Sequence, residues 1–191
     1  MKHRAEYIAA RVVLACVRLI PSRVLLQMGS ALGLLVYAFD GAHRRVALEN
    51  VTAALPGRTP RERRRIVRRA FQHFGRLLLE LLKFSTLSEE AMMARVEFEG
   101  DERVRAAYAQ GKGVLFVTGH FGYWELQAMV HALHLRPMAV MARALDNPAL
   151  NQLLENIRTR TGTSVIYRQG TIRRVMRQLQ AGEGVGVLID Q

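Results

Sequence analysis

"VLFVTGHFGYWELQAMVHALHL", residues 114–135, decides the class of this chain. Val114 to Thr118 form a short, wholly apolar run that reads as a strand. From Tyr123 the pattern "YWELQAMVHALHL" reads as a helix. A strand apolar on both faces that leads straight into a helix is the first half of a βαβ unit.

The same alternation runs on either side. "VEFEG" (96–100) is a short strand candidate, and "DERVRAAYAQG" (101–111) is a helix ending at Gly111. "PMAVMAR" (137–143) is a strand, followed by a helix opening at Asn147-Pro148 and running to about Thr161. "SVIYR" (164–168) is a strand, "TIRRVMRQLQAG" (171–182) a helix and "VGVLID" (185–190) a strand. Residues 96–191 are thus expected to form an α/β domain, a mostly parallel sheet with helices on both faces.

In such a sheet every strand points its C-terminal end at one edge, where ligands bind. His120 follows the strand 114–118, Arg143 and Arg168 close the next two, and Asp190 ends "VGVLI". Four polar groups from four strands therefore converge. His120 lies in the turn before the helix, so its ring can fold back toward Glu125. Glu125 would accept the proton on one ring nitrogen and leave the other as a base. Gly119 and Gly122 would let substrate approach the backbone, whose amides could bind a developing oxyanion.

Several chemistries have too little to stand on. Cys16 is remote and Ser164 cannot be assigned, so no protein nucleophile accompanies His120. One His and one Glu are too few for a metal site, and His131 and His134 read as helix-face residues. A base and an acid without a nucleophile suit direct attack by a substrate hydroxyl on an activated acyl group. Residues taken alone leave catalysis open, because a His-x4-Glu pair is common by chance.

The N-terminal half differs in character. The chain of 191 residues carries a net charge of +12. Residues 1–76 hold 15 Lys+Arg against 4 Asp+Glu, whereas residues 77–191 are almost neutral. Residues 5–20 are apolar but interrupted by Arg11 and Arg18, and Pro21-Ser22 breaks the run. Residues 24–39 carry no charge, yet they fall short of the roughly 20 residues of a usual membrane span. Basic residues flank that stretch on both sides and give no orientation for a single span.

We read residues 1–40 as a membrane-associating helical hairpin lying in a leaflet. A pair of buried core helices and a tilted single span are the alternatives. Residues 41–95 form a basic helical connector: "RRVALENVTAAL" is a helix stopped by Pro56-Gly57. Thr59-Pro60-Arg61-Glu62 then carries a capping-box signature for a helix running to about Phe84. Arg61, Arg63, Arg64, Arg65, Arg68 and Arg69 crowd its first half, as a solvated face or as a dock for lipid or protein. No nucleic-acid motif occurs, and a single cysteine rules out internal disulfides and suits a reducing compartment.

"GHFGYWE" (119–125) resembles the His-x4-Asp/Glu block of the glycerolipid and lysophospholipid acyltransferase superfamily. More narrowly it resembles the lipid A late acyltransferases, the lauroyl/myristoyl enzymes, with Tyr123 where Asn is usual. The likeness continues in residues 44–80, with Asn50, Pro56 and Glu80 in place. It also covers "ARALDNPALNQLLENIRTRTG" (142–162), where Arg143, Asn147, Pro148 and Gly162 match, and the closing Asp190-Gln191.

The resemblance implies a catalytic His120 with Glu125 as its orienter. Its substrate-binding set is Gly119, Gly122, Arg143, Arg168 and Asp190, with Asp190 holding one of the arginines. It implies an acyl group passed from a thioester, acyl-acyl carrier protein or acyl-CoA, to a hydroxyl of a lipid A precursor. No cofactor or metal is implied. The partners would be acyl carrier protein, a lipid acceptor and the membrane surface, at the cytoplasmic face of a bacterial inner membrane. Another glycolipid or lysophospholipid acceptor, or a non-catalytic membrane scaffold, are the rival readings. In that family the chain continues beyond the Asp-Gln pair, so this sequence reads as C-terminally truncated and its sheet as incomplete.

Overall fold

The computed structural model describes residues 2–167 and 171–190. Compactness divides the chain into two units, Met1–Val13 with Phe84–Gln191, and Leu14–Lys83. In chain order the helices of the N-terminal half are α1 (Lys2–Leu19), α2 (Ser22–Phe39), α3 (Gly41–Ala54) and α4 (Pro60–Phe84).

The unit of residues 14–83 is built from these helices. Proline ends α1, because Pro21 cannot donate to its ladder. The carbonyls left at that end are taken by Lys83, whose Nζ donates to Val17 O (3.2 Å), Arg18 O (2.8 Å) and Ile20 O (3.0 Å). A cation at a helix C-terminus also suits the helix dipole. Asp40 caps α3 by accepting from His43 N at 3.0 Å. The capping box of α4 forms as its sequence predicts: Thr59 N donates to Glu62 Oε2 (2.8 Å) and Glu62 N to Thr59 Oγ1 (3.3 Å).

Helix packing in this unit rests on glycines at a recognisable spacing. Gly29 and Gly33, four apart on α2, press against α4 so closely that the two backbones touch. A Cβ on Gly33 would stand 2.1 Å from Phe71 O, and one on Gly75 would stand 2.1 Å from Gly29 O. Small residues at this spacing let helices approach to backbone contact. Tyr37 and Phe71 close the seam edge-to-face at 5.5 Å. The other flank of α2 is open: Val24, Met28, Leu32, Leu35 and Phe39 are exposed, at spacings of three and four.

The second unit holds α5 (Glu89–Met93), α6 (Asp101–Ala109), β1 (Val114–Thr118), α7 (Trp124–His134), β2 (Met138–Ala142), α8 (Pro148–Thr159), β3 (Ser164–Tyr167), α9 (Thr171–Gln180) and β4 (Gly184–Leu188). The strands form one sheet in the order β1-β4-β2-β3, and every pair is parallel. Alternation assigns the faces. Ala139, Val185 and Ile166 form one buried cluster with Val175 and Leu179 of α9. The opposite face is overlaid by α7, whose Met129 and Val130 are buried with Phe84 and Met92. On the α9 side the edge strand β1 leaves Leu115 and Val117 exposed.

One expected strand is absent. "VEFEG" has no strand pairing in the structure. Val96 instead packs on the Phe84–Met92 cluster, and Phe98 stacks on the His134 ring at 3.9 Å. Its alternation serves side-chain burial and makes no ladder.

The glycine seam gives a direct test. Gly33→Leu should lower the urea midpoint of the protein by the equivalent of at least about 1–3 kcal/mol, since a close-packed seam cannot absorb the added volume. Gly57→Ala, where an added Cβ meets nothing within 4 Å, should leave it almost unchanged. Equal midpoints for the two variants would contradict the seam.

Candidate active site

Strand order builds the centre of the site. β1 and β4 are neighbours, and their last paired residues are Thr118 and Leu188. Ile189 N extends the ladder by donating to Thr118 O at 3.0 Å. Two residues further along each strand stand His120 and Asp190, brought side by side by that register. The Asp190 carboxylate bridges ring and backbone of the histidine. Its Oδ1 lies 2.8 Å from His120 Nδ1, and its Oδ2 accepts from His120 N at 2.7 Å. These bonds, the backbone one first, hold the Asp190 carboxyl below the usual carboxylate range, against a smaller opposing effect of burial.

Gly119 is needed for this arrangement. A Cβ there would stand 2.9 Å from Asp190 Oδ2, inside contact distance. Its role is thus to admit the carboxylate. The expectation of amides here that could take an oxyanion is corrected at two positions: His120 N is bound to Asp190, and Phe121 N donates to Gly119 O at 2.8 Å. Gly122 adopts φ +57°, the left-handed turn that leads into α7. Trp124, at the start of α7, packs edge-to-face on the His120 ring at 4.9 Å.

Glu125 is held by a different partner from the one expected. Its two carboxylate oxygens accept from the Arg158 fork, Nε to Oε2 at 2.9 Å and Nη2 to Oε1. Both side chains are mostly buried, so this bidentate pair ties the first turn of α7 to the last turn of α8. The carboxylate on His120 Nδ1 is therefore that of Asp190, where the sequence suggested Glu125. Asp190 itself was expected to steady an arginine. Arg158 was missed, and one signal for it existed. The positions three and four residues from Glu125 are Phe121, Gly122, Ala128 and Met129, so no cation is available along the helix.

Arg143 reaches the same edge with its side chain 88% exposed, 3.8 Å from Asp146. Arg168 lies outside the described residues.

A cavity of about 370 Å³ opens beside His120 and runs along β2 from Ala142 to Met138. Four strand steps of about 3.3 Å give it a length of roughly 13 Å. Trp124, Gln127, Ala128 and His131 line it from one face of α7, and Phe116, Val140 and Gly186 from the sheet. Arg143, Glu125 and Arg158 also border it. Its size suits a small-molecule or chain-like ligand. His131, read from sequence as a helix-face residue, points inward: it is 9% exposed and shares a 2.9 Å hydrogen bond with the Tyr108 hydroxyl. Burial first, and the neighbouring His134 second, lower its pKa to about 4. Among the described residues no group of three or more His, Cys, Asp or Glu side chains could hold a metal.

The whole chain matches a family model, that of the bacterial lipid A biosynthesis acyltransferases, over residues 2–191. The chain belongs to that family. Its curated relatives include a lipid A biosynthesis lauroyltransferase of Escherichia coli K12, 28% identical over 166 residues. That alignment covers 87% of this chain and 54% of the relative. A lipid A biosynthesis palmitoleoyltransferase of the same organism is 26% identical over 175 residues, 90% of this chain and 56% of the relative. A lipid A biosynthesis acyltransferase of Haemophilus influenzae is 24% identical, over 86% of this chain and 52% of the relative. The chain thus spans about half the length of the curated relatives it matches.

His131 makes the stability of this family member depend on pH. Its folded pKa of about 4 lies below the ordinary 6.5, so the unfolded chain takes up a proton first as pH falls. Stability should therefore drop between pH 6.5 and about 4, by on the order of 3 kcal/mol in all. Glu62 and Glu90, whose carboxyls hydrogen bonds hold below their ordinary 4.5, add to the loss only from about pH 4.5 downward. Urea unfolding at several pH values should show a shallower dependence for His131→Gln, and an identical slope would contradict a buried, neutral His131.

Proposed function

We propose that this chain carries the catalytic half-site of an O-acyltransferase that moves a fatty acyl group from a thioester to a hydroxyl of a lipid A precursor. The observation that carries the reading is the His120–Asp190 pair set at the opening of an elongated cavity. With the proton on Nδ1 directed at Asp190, the lone pair of the neutral ring sits on Nε2. Nε2 removes the proton of the acceptor hydroxyl as its oxygen attacks the thioester carbonyl carbon. The tetrahedral intermediate collapses by breaking the C–S bond, and the imidazolium returns the proton to the leaving thiolate. Asp190 stabilises the transient imidazolium through the bond it already makes. The acyl thioester is a co-substrate, so this chemistry calls for no resident cofactor.

Around this centre the other residues bind and orient. The cavity between α7 and the sheet receives the acyl chain. Arg143 contacts a phosphate of the acceptor or the phosphopantetheine arm of the donor; Arg168 is assigned the same task from the sequence alone. Glu125 acts through Arg158, keeping a guanidinium in the cavity wall where negative charge develops on the carbonyl oxygen. Acyl-acyl carrier protein is the donor that best suits a chain of net charge +12, because that carrier is acidic.

We further propose that the unit of residues 14–83 attaches the protein to a membrane. Among the described residues, α2 is the one helix long and apolar enough to cross a bilayer. Its seam with α4 argues for a different placement. If α2 spanned, its partner would draw Arg76, beside Gly29, toward the hydrocarbon centre. Each such charge costs about 2.5–3.5 kcal/mol or more. Lying in the head-group plane, α2 buries its exposed stripe while the arginines of α4 meet anionic lipid. The protein's location at the cytoplasmic face of a bacterial inner membrane is proposed from the family resemblance alone.

The mechanism is tested in the full-length protein with purified acceptor and acyl-acyl carrier protein. His120→Ala should abolish transfer, and Asp190→Asn should lower kcat by about 10²–10⁴-fold with little change in melting temperature. The double variant should be no worse than His120→Ala, because the two act as one unit. Near-normal turnover by His120→Ala would overturn the proposal.

A further inference from the structure

The loop between β2 and α8, which carries Arg143 to the cavity, is tied to the first turn of α1 through a single buried side chain. Asn147 is 5% exposed. Its Oδ1 accepts from Ala149 N (3.0 Å) and Leu150 N (3.3 Å), which caps α8. Its Nδ2 donates to His3 O (3.0 Å) and to Glu6 Oε2 (2.8 Å). An amide has two donor hydrogens and two acceptor lone pairs, and here all four are used.

Capping alone does not call for this residue. The oxygen of Ser, Thr or Asp caps a helix as well as that of Asn. What asparagine adds is the NH₂ group, and both of its hydrogens are directed at α1, more than 140 residues away in sequence. The bond to Glu6 is assisted by the carboxylate's charge and so is among the stronger kind. A second anchor holds the same loop from the other side, Leu145 N donating to Asn151 Oδ1 at 2.9 Å. Just ahead of these anchors the Arg143 side chain is 88% exposed, so its placement depends on the backbone that carries it.

We infer that Glu6 and Asn147 are positioning residues of the active site, through which the N-terminal turn of α1 sets the loop that presents Arg143 to the ligand. Residues 3–6 belong to the same compact unit as the loop. The first turn of α1 braces the loop that presents Arg143, and loss of that turn loosens the ligand contact without touching the His120–Asp190 pair. The kinetic consequence rests on the acyl transfer proposed above; the structural one does not.

The test exploits the chemistry of the amide. Asn147→Asp keeps a good cap but replaces the NH₂ with an oxygen that faces Glu6. Glu6→Ala removes the acceptor, and Glu6→Gln keeps one. Amide hydrogen exchange at Leu145, Ala149 and Leu150 should rise about tenfold in Glu6→Ala and in Asn147→Asp, the order expected for losing one hydrogen bond to a charged group. Glu6→Gln alone should stay near the parent. Combined with Asn147→Asp it should restore protection, because the introduced amide can donate to the introduced carboxylate. In the full-length protein the same variants should raise KM several-fold with kcat little changed, and the paired substitution should lower KM again. Unchanged exchange in Glu6→Ala, or no recovery in the paired variant, would overturn the inference. Should the parent protein transfer no acyl group, the exchange measurements still decide it while the proposed function fails.

Discussion

The contact between His120 and Asp190 depends on where β4 enters the sheet. By inserting between β1 and β2, the last strand brings residue 190 beside residue 120, and a parallel register matched at Thr118 and Leu188 sets them level. One carboxylate then does two things. It accepts from the His120 backbone, which fixes the turn after β1, and from the His120 ring, which selects the tautomer. Position 119 must lack a side chain for that carboxylate to fit. The glycine at 119 and the direction of the imidazole thus both serve a single hydrogen-bonded pair, which the strand order makes possible.

A second structural theme is the use of α8 as a strut. At its start Asn147 joins it to α1, and at its last turn Arg158 joins it to Glu125 on α7. Both joints are charge-assisted side-chain hydrogen bonds: Glu6 is the charged partner of a buried Asn147, and Glu125 and Arg158 are both charged and mostly buried. Under those conditions leaving one partner unpaired is costly, so each joint behaves as a near-rigid connection. The cavity beside β2 lies between these joints. Its shape follows from the helix placements that they hold.

Much of this was legible in the sequence, wherever the signal was local. The alternation after residue 100, the break at Pro21, the Thr59–Glu62 capping box and the Asn147-Pro148 helix start all involve neighbours within a few residues, and each appears where expected. The convergence of His120 and Asp190 on one edge also follows, because parallel strands share a polarity. Their direct pairing does not, since it requires the strand order. Local pattern misled at "VEFEG", where alternation reflects burial of Val96 and stacking of Phe98. It also misled at Glu125, the nearest acid in sequence but a partner of Arg158 in space. Gly29 and Gly33 carry a recognisable spacing, yet only the fold shows that Gly75 and Phe71 fill it.

The central claim is that Asp190 holds His120 with its proton on Nδ1. Two-bond ¹H–¹⁵N spectroscopy of the protein labelled at histidine ring nitrogens reads this directly, once the His120 signals are assigned by comparison with His120→Gln. At a pH where the ring is neutral, His120 should show a protonated Nδ1 and an unprotonated Nε2, and Asp190→Asn should shift that balance while leaving the other histidines in place. A neutral His120 protonated on Nε2, or one indifferent to Asp190→Asn, would contradict the account.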